Sequence, residues 1–396
     1  MCALILPSVL TLAVPLLAQT PPPTGAPGPA YRPADRFETQ EIRADFGVGY
    51  AVTIADVNGD RKPDILAISG TQLVWFENPS WQAHVVLDGQ TPKDNVTLAP
   101  RDIDRDGRLD VALGATWKPS DTNGGGTLHW TSPGAAGASW TLRDITAEPT
   151  LHRIRWAKID GGEPALIVAP LHGRRSAPPE WAGVGPRVMA LRVPKNPATE
   201  PWPAEVIDDA LHIVHNFAVL DFDGDGDDEL IAASREGLHL LERGAGGRWT
   251  KTQLGDVNAG EVKVGRLGGT RVLAVIEPWH GTTLAIYREP AKGTRGPWAR
   301  QVIDDTLTGG HAIGWADVDG DGSDELIAGW REKEVGVALY RITSATERPA
   351  RVMIDAGGMA AEDLTVADLD ADGRPDVVAS GRRTANVRIY WNRTAR

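Results

Sequence analysis

Cysteine is almost absent from this sequence, and no stretch has the periodicity of a long helix. The single cysteine among 396 residues is Cys2, inside an apolar N-terminal segment. The rest of the chain therefore cannot form a disulfide, and packing or bound metal must supply its rigidity. The chain does contain 44 glycines, 29 prolines and 14 tryptophans, a composition that indicates many short strands joined by turns.

Long hydrophobic runs are also missing, apart from one at the N-terminus. The segment CALILPSVLTLAVPLLAQ is uncharged and ends in small residues, which predicts a signal peptide over residues 1–19. It is too short for a membrane span with proper flanks, so we expect a secreted or periplasmic protein without a membrane span. Residues 20–36 are rich in proline and predict an extended linker that has no core of its own.

Positive charge does not predominate, and the formal net charge is -12. Nucleic acid is therefore an unfavourable partner, because proteins that bind it neutralise phosphates with lysine and arginine. Five bound divalent cations would add about +10 and nearly cancel the excess. The acidity thus indicates ligands for metal ions.

An acidic loop between two apolar strands recurs along the chain. In the copy at 311–331, HAIGWADVDGDGSDELIAGWR, carboxylates occupy relative positions 1, 3, 5 and 9 of the loop. A hard cation such as Ca²⁺ takes six to eight oxygen ligands, which such a loop can supply. Five complete copies predict up to five structural Ca²⁺ sites. The predicted ligands are Asp56, Asn58, Asp60 and Asp64; Asp102, Asp104, Asp106 and Asp110; Asp221, Asp223, Asp225 and Glu229; Asp317, Asp319, Asp321 and Glu325; and Asp368, Asp370, Asp372 and Asp376.

The spacing of these loops predicts the architecture. Loop starts are separated by 46, 119, 96 and 51 residues, and each long interval contains a decayed copy with Lys158 or Gly265 at its first position. Seven units of roughly 44 to 63 residues result, a period typical of four-stranded propeller blades. We therefore predict an all-β fold, a seven-bladed β-propeller over residues 37–396.

A count of outer strands indicates how the ring closes. Six segments have the pattern of outer strands, from AHVVLDG at 83–89 to RVMIDAG at 351–357, and the chain ends on a third strand, ANVRIYWN. The missing outer strand would come from FETQEIRAD at 37–45. Pairing the first strand with the last blade removes an exposed edge, so we predict closure by the N-terminal strand.

The acidic repeats resemble those of FG-GAP or VCBS repeat proteins, the integrin-α type of propeller with calcium-binding loops. The resemblance covers residues 37–395 and implies the same fold. It says almost nothing about function, because such propellers serve adhesion, lectin and lyase roles alike.

A candidate site lies on the face opposite the acidic loops, where the loops that precede the innermost strands surround the axis. Equivalent positions of the blades converge there, so residues at one fixed spacing should meet. Three of the seven positions are histidine in a chain with nine, which predicts a histidine-lined site. Counting back six residues from each loop start gives Tyr50, Val96, His152, His215, Ala259, His311 and Glu362.

Loops after the second strands lie on the same face and add further candidates. Indole rings there would stack on sugar rings, although tryptophan between blades is the commoner use. A lone histidine at a strand start is likewise more often a packing residue. The added candidates are His212, from the segment HIVH, and Lys118, His172, Trp279, His280, Trp330 and Arg331.

Two chemistries fit this arrangement. Neutral imidazoles with a carboxylate and an open position bind Zn²⁺ or another divalent metal, which polarises a carbonyl or activates water. Alternatively, histidines act as general base and acid on a bound sugar, with arginine or lysine stabilising an enolate. The two readings are compatible.

Four segments that contain the candidate histidines also resemble the propeller domain of the aldos-2-ulose dehydratase family. The similar segments are TLHRIRWA at 150–157, HIVHNFAV at 212–219, EPWHGTTLAIY at 277–287 and GGHAIGWADVDGDGSDEL at 309–326. The family removes water from 2-keto sugars such as glucosone and 1,5-anhydrofructose. The resemblance implies that His152, Arg153, His212, His215, His280 and His311 belong to a functional site, and we predict that they are catalytic. From their positions on the same face, we predict that Tyr50, Lys118, His172, Trp279, Trp330, Arg331 and Glu362 bind the substrate.

The resemblance leaves more than one function open. The fungal enzymes carry cupin domains after the propeller, whereas this sequence ends at Arg396 after the seventh predicted blade, so we expect the elimination alone. The substrate would be a small sugar or a glycoside. The main alternative is a non-catalytic propeller that binds glycans or proteins. A metal-dependent lyase on uronates is disfavoured because its basic groove is not apparent in the dispersed arginines and lysines.

Overall fold

A computed structural model describes residues 36–134, 139–292 and 296–395 of the chain. The predicted signal peptide, and the predicted linker apart from Arg36, lie outside these residues. Within them, 28 β-strands form seven four-stranded antiparallel sheets. No helix in the described ranges has the length and apolar character needed to cross a membrane.

Six sheets contain four consecutive strands each, and the seventh combines the last three strands with the first. The first strand is β1 (Phe37–Arg43). Blades 1 to 3 are β2 (Gly49–Ala55), β3 (Asp64–Ser69), β4 (Gln72–Glu77) and β5 (Gln82–Asp88); β6 (Thr97–Arg101), β7 (Asp110–Ala115), β8 (Thr127–Pro133) and β9 (Trp140–Ala147); and β10 (Leu151–Ala157), β11 (Ala165–Pro170), β12 (Val188–Leu191) and β13 (Ala204–Asp208). Blades 4 to 7 are β14 (Asn216–Leu220), β15 (Glu229–Ser234), β16 (Gly237–Arg243) and β17 (Trp249–Gly255); β18 (Val262–Leu267), β19 (Thr270–Glu277), β20 (Thr283–Arg288) and β21 (Ala299–Asp304); β22 (Gly310–Ala316), β23 (Glu325–Trp330), β24 (Gly336–Tyr340) and β25 (Val352–Ala356); and β26 (Ala361–Ala367), β27 (Asp376–Gly381) and β28 (Val387–Asn392), joined by β1.

The burial of each strand follows from its place in the blade. The second strands β3, β7, β11, β15, β23 and β27 are buried at every position, because both faces of the sheet pack against neighbouring blades. Outer strands are largely exposed, as in β17. The seven-bladed all-β fold is confirmed, and all six predicted outer strands form at the predicted segments, as β5, β9, β13, β17, β21 and β25.

The seventh blade brings the two ends of the described chain together. Strand β1 pairs antiparallel with β28, from Phe37 opposite Asn392 to Arg43 opposite Val387. Beyond the ladder, the Arg393 N–H donates to the Arg36 carbonyl at 2.7 Å.

Tyrosine–carboxylate pairs join neighbouring blades. The Tyr340 hydroxyl on β24 donates to Asp304 Oδ2 on β21 at 2.7 Å, and the Arg351 guanidinium binds the same oxygen, with Nε at 2.8 Å. The side chain of Asp304 is 9% exposed. Such a carboxylate depends on these partners, since a buried charge without hydrogen bonds is strongly destabilising.

Two adjacent aspartates provide a test of this pairing. We expect Asp304→Asn to lower the free energy of unfolding by about 1.5 to 3 kcal/mol, because it weakens two charge-assisted hydrogen bonds in a buried site. Asp305→Asn is the matched control: Asp305 is exposed and pairs only with exposed Arg348, so it should leave the unfolding curve unchanged. Urea denaturation followed by tryptophan fluorescence measures both. Equal losses would contradict the assigned role of the Asp304 pairing.

Candidate active site at the propeller axis

A β-bulge at the start of four first strands directs one side chain of each strand toward the axis. In β2, β10, β22 and β26 the pairing register skips one residue, which leaves Tyr50, His152, His311 and Glu362 without a partner in the ladder. A bulge bends its strand and changes the direction of the side chain. These are four of the seven positions found by counting back six residues from the acidic loops.

The same position lies just before the first strand in two other blades. The Val96 N–H donates to the Gly114 carbonyl at 2.9 Å, and the His215 N–H donates to the Ala233 carbonyl at 3.1 Å. Gly114 and Ala233 already pair with the first residues of β6 and β14, so two residues oppose one here as well. Six of the seven equivalent positions therefore adopt a related local structure.

These six side chains line a cavity of about 350 Å³ at one end of the axis. The volume is in the range of small-ligand sites. The rest of the lining comes from the loops that follow the second strands: Trp117, Pro119, Ser120, Leu171, His172, Trp181, Trp279, His280, Arg331 and Arg382. Of the residues predicted from the sequence, Tyr50, His152, His172, His215, Trp279, His280, His311, Arg331 and Glu362 thus meet in one place.

Three imidazoles meet at the centre of this cavity. His215 Nε2 and His280 Nε2 lie 2.9 Å apart. The ring centroid of His311 lies 5.2 Å from that of His215 and 4.9 Å from that of His280. One ring nitrogen from each histidine lies within 4.8 Å of the other two. We call these three residues the histidine cluster.

Two members of the histidine cluster are oriented by an oxygen on their other nitrogen. His215 Nδ1 lies 3.0 Å from Glu261 Oε1, and His311 Nδ1 donates to the backbone carbonyl of Glu362. With the proton on Nδ1, the Nε2 atom of each ring carries the lone pair. This orientation is typical of histidines that bind a metal or accept a proton.

His152 differs from the histidine cluster, although its ring lies 4.6 Å from that of His215. Its Nδ1–H donates to the His215 carbonyl at 2.8 Å, and its Nε2 accepts from Arg153 Nη1 at 3.0 Å. Both nitrogens are therefore occupied, and the Trp117 indole stacks on the ring at 4.7 Å. His152 thus lies in the wall of the cavity with both ring nitrogens hydrogen-bonded within the described residues.

Burial controls the protonation of the histidine cluster. It lowers the pKa of His215, His280 and His311, and nearby cationic arginines such as Arg331 lower it further. The carboxylate of Glu261 opposes this effect at His215 without reversing it. The three imidazoles are therefore neutral at neutral pH and keep the nitrogen lone pairs that a metal ligand or a base uses.

Glu261 is a site residue that the spacing rule misses. Blade 5 has no acidic loop to count from, and the rule gives Ala259, two residues too early. The Glu261 carboxylate is 5% exposed and accepts a hydrogen bond from Asn216. Burial alone would raise its pKa, but the hydrogen bond from His215, the positive charge of Arg153 and the hydrogen bond from Asn216 hold it below its usual value.

Two arginines line the cavity beside Glu362. Arg331 Nη1 forms an ion pair with Glu362 Oε2, and Arg382 Nη1 donates to Glu362 Oε1 at 2.8 Å. Arg382 follows β27 and was not predicted, although the rule that identified Arg331, a loop after a second strand, applies to it equally. One carboxylate thus holds two guanidinium groups at the edge of the histidine cluster.

Aromatic rings form the other side of the cavity. Trp279 stacks on His280 with ring centroids 5.0 Å apart, and Trp181 stacks on His172 at 3.7 Å. Trp181 belongs to the long connection between β11 and β12, where no sequence pattern marked it. Indole faces of this kind can pack against the apolar face of a sugar ring.

Four predicted site residues lie outside the lining of this cavity. The His212 ring binds Glu236 Oε1 through Nδ1 at 2.8 Å and the Gly183 carbonyl through Nε2 at 3.0 Å, so it braces a loop. Trp330 packs in the hydrophobic core and donates to the Glu334 carbonyl. The Lys118 side chain is exposed beside the mouth. Arg153 extends further along the axis, into a separate cavity.

Four of the five acidic loops bring three carboxylates together. The exception is the loop of Asp56, where Asn58 replaces a carboxylate and both Asp64 oxygens accept backbone N–H groups. Burial and neighbouring carboxylates raise the pKa of Asp110 to about 7. The converging sets are Asp102, Asp104 and Asp110; Asp221, Asp223 and Asp225; Asp317, Asp319 and Glu325; and Asp368, Asp370 and Asp376.

The pH dependence of stability tests the neutral state of the buried imidazoles. Burial lowers the pKa of His172 from 6.5 to about 4, so the unfolded chain takes up a proton below pH 6.5 while the folded chain does not. The contribution that neutral His172 makes to the free energy of unfolding above pH 6.5 is therefore lost as the pH falls toward 4. Between pH 7 and pH 5, we expect the free energy of unfolding of the wild type to fall by about 1 to 2 kcal/mol more than that of His172→Gln. Denaturation at both pH values measures it, and an identical loss in both proteins would contradict the assignment.

Comparisons with known proteins agree with this architecture. Residues 125–290 match the family described as aldos-2-ulose dehydratase, beta-propeller domain, and residues 56–113 match the FG-GAP-like repeat. The aldos-2-ulose dehydratase of Phanerodontia chrysosporium is 26% identical over an alignment of 379 positions, which covers 86% of this chain and 40% of that protein. The chain therefore spans about two fifths of the length of this curated relative.

A solved structure shares the fold at low sequence identity. BBS1N, in complex with ARL6DN, superposes with a TM-score of 0.54 and 13% identity, over 90% of this chain and 96% of that one. An Agrocybe aegerita lectin that recognises non-reducing terminal N-acetylglucosamine gives a TM-score of 0.49 and 14% identity, over 78% of this chain and 81% of that one. The resemblances read from the sequence are confirmed: the chain is a seven-bladed β-propeller with FG-GAP-like repeats, and it is similar to the propeller domain of aldos-2-ulose dehydratase.

Proposed function

We propose that this chain is a carbon–oxygen lyase that eliminates water or an alcohol from a keto sugar in the axial cavity. One observation carries the proposal: the histidine cluster presents neutral imidazoles to one small cavity beside two arginines. Similarity to a dehydratase over 86% of the chain supports the reaction class. The catalytic residues would be His215, His280 and His311.

The first step requires a base next to a polarised carbonyl. A carbonyl acidifies the neighbouring C–H bond, and a neutral imidazole of the histidine cluster accepts that proton. Negative charge then develops on the carbonyl oxygen. The guanidinium groups of Arg331 and Arg382 stabilise this enolate, because a cation in a buried site interacts with it more strongly than water does.

The second step requires a proton donor for the leaving oxygen. The C–O bond at the β carbon breaks as the carbon–carbon double bond forms, and the leaving oxygen takes up a proton. The imidazolium formed in the first step can return it. Tyr50 is a second donor: burial, together with the nearby carboxylate of Asp94, raises the pKa of its hydroxyl to about 12, so it stays protonated.

The histidine cluster also fits a divalent metal such as Zn²⁺. His311 Nδ1 donates to the Glu362 carbonyl and His215 Nδ1 lies beside Glu261 Oε1, so the Nε2 atoms would be the ligands. His215 Nε2 and His280 Nε2 lie 2.9 Å apart as a hydrogen-bonded pair, and a metal ion would replace the proton between them. A bound metal would supply a Lewis acid for the carbonyl oxygen. His152 would not be a ligand, because Arg153 occupies its Nε2.

Activity on keto sugars tests the proposal directly. We expect His280→Gln and His311→Gln each to lower kcat/KM at least about 100-fold, because each removes a base or a metal ligand. Product formation from glucosone and from 1,5-anhydrofructose is followed by the ultraviolet absorbance of the enone and by mass spectrometry. Metal content of the same preparations separates the metal reading from the metal-free one.

The matched control is His84→Gln. His84 lies on the outer strand β5, stacked on Trp75 and bound to Glu77, away from the axis, so this change should leave kcat/KM unaltered. Full activity in His280→Gln and His311→Gln would rule out the histidine cluster as the site.

The aromatic rings favour a second candidate function, a non-catalytic glycan-binding propeller. The indoles of Trp117, Trp181 and Trp279 surround the cavity and could hold a sugar without reaction. This function predicts saturable binding of the keto sugars without product. It also predicts that binding tolerates His280→Gln and is lost in Trp279→Ala.

We also propose that the acidic loops bind Ca²⁺ and stabilise the ring, with β1 completing the last blade. Converging carboxylates in four loops support this role. Asp110 Oδ1 and Asp319 Oδ1 are buried with no hydrogen-bond partner among the described residues, and a cation would satisfy both. Secretion or export to the periplasm stays a prediction from residues 1–19.

Chelation tests the calcium proposal. We expect EDTA to lower the melting temperature by several degrees and Ca²⁺ to restore it, because the ion binds the folded state and relieves the repulsion between carboxylates. Asp319→Asn should weaken the response to Ca²⁺ in differential scanning calorimetry. Asp144→Asn, at an exposed carboxylate on β9, is the control and should retain it. A melting curve indifferent to EDTA would argue against the proposal.

A further inference from the structure

A second cavity, of about 250 Å³, lies along the axis next to the histidine cavity and shares no lining residue with it. Its walls are the first strands β2, β6, β10, β18 and β26. Paired lining positions two residues apart place their side chains on the same side of a strand. These positions are Ala51 and Thr53, Thr97 and Ala99, Arg153 and Arg155, and Asp363 and Thr365, with Lys263 from β18.

The charges that line this second cavity, which we call the channel cavity, are mostly positive. Arg153, Arg155 and Lys263 contribute three cations, and Asp363 contributes the one carboxylate. Asp363 is already engaged, since its Oδ2 accepts the Val52 N–H at 3.1 Å and its Oδ1 accepts the Leu364 N–H at 3.0 Å. The lining therefore carries an excess of positive charge in a protein whose formal net charge is -12.

Two of the three cations lack a protein partner. Arg155 Nη1 is buried and forms no hydrogen bond with any described residue, and its guanidinium has only the Phe217 ring beneath it, at 4.9 Å. Lys263 donates no side-chain hydrogen bond and forms no ion pair in the described part of the chain. Burial lowers the pKa of both groups, and repulsion from neighbouring cations such as Arg153 lowers it further, while the carboxylates of Asp363 and Glu261 oppose this effect without reversing it.

Arg153, by contrast, already has partners at its far end. Its Nη1 donates to His152 Nε2, and its Nη2 lies 3.5 Å from Glu261 Oε1. This leaves Arg155 and Lys263 as the free cations of the cavity. Arg155 and Lys263 are partly buried, and a charge withdrawn from water without a hydrogen-bonded partner is unfavourable, so the arrangement favours a bound counter-charge.

We infer that the channel cavity binds a small oxyanion with the charge and size of sulfate or phosphate. Arg155 and Lys263 are its principal ligands. Hydroxyl groups of Thr53, Thr97 and Thr365 line the same space, and Thr97 Oγ1 already accepts the Ile154 N–H, so its own proton is available to an acceptor. Guanidinium, ammonium and hydroxyl donors around one space are the chemistry that recognises an oxyanion.

Calorimetric titration with sodium sulfate, at constant ionic strength in a chloride buffer, tests this inference. The wild type should bind one sulfate saturably. The double variant Arg155→Met/Lys263→Met should bind it at least about tenfold more weakly, since each charge-assisted hydrogen bond is worth about 1.5 to 3 kcal/mol, which corresponds to tenfold or more in affinity. Asp363→Asn should bind it more tightly, because it removes the one opposing charge. Lys195→Met, at an exposed loop lysine, is the control and should bind as the wild type does.

Two outcomes would overturn the inference: no saturable heat from the wild type, or equal sulfate affinity in the wild type and the double variant. If the double variant does not fold, Asp363→Asn and the single variant Lys263→Gln decide the question through opposite changes in affinity. Acetate distinguishes the ligand class, because a site for a dianion should bind acetate much more weakly than sulfate. Equal affinity for both would exclude the assigned class. The lyase assay is independent of this titration, so either proposal can fail alone.

Discussion

The structure depends on one backbone irregularity repeated around a ring. In six of the seven blades the first strand begins with two residues opposite one, and the residue that leaves the ladder turns to the mouth of the axis. The residues that follow return to regular alternation and line the axis further in. A single local feature therefore separates two environments, with imidazoles at the mouth and cationic side chains below them. Arg153 spans the boundary, since it contacts His152 on one side and lines the channel cavity on the other.

Electrostatics explains why the imidazoles at the mouth are neutral. They share a buried space with several arginines, and both burial and positive charge oppose protonation. Glu362 is paired with Arg331 and Arg382, and Glu261 lies between His215 and Arg153, so the neutral histidine cluster is surrounded by charged side chains that largely pair with one another. A neutral base beside fixed cations suits a reaction in which negative charge appears on the substrate.

The fold and much of the candidate site could be predicted from the sequence, because the acidic loop marks the same position in each blade. The acidic loop fixes a register, and counting back from it located Tyr50, His152, His215, His311 and Glu362. This count is unreliable where the acidic loop has decayed, and in blade 5 it therefore does not find Glu261. The count also gives the position of a side chain but not its hydrogen-bond partners. It therefore does not distinguish His152, whose two ring nitrogens both have partners, from the histidine cluster. Trp181 lies in a long irregular connection that no periodicity describes.

The pairing of β1 with β28 also fixes where the chain enters and leaves the ring. Arg36 and Arg393 are joined by a backbone hydrogen bond, and Arg393 contacts Asp370 and Asp372 of an acidic loop. Residues 36 and 393 are thus neighbours on the face opposite the histidine cavity. Joining the chain between these two positions and reopening the ring between other blades would give a circular permutant that keeps the same axial arrangement.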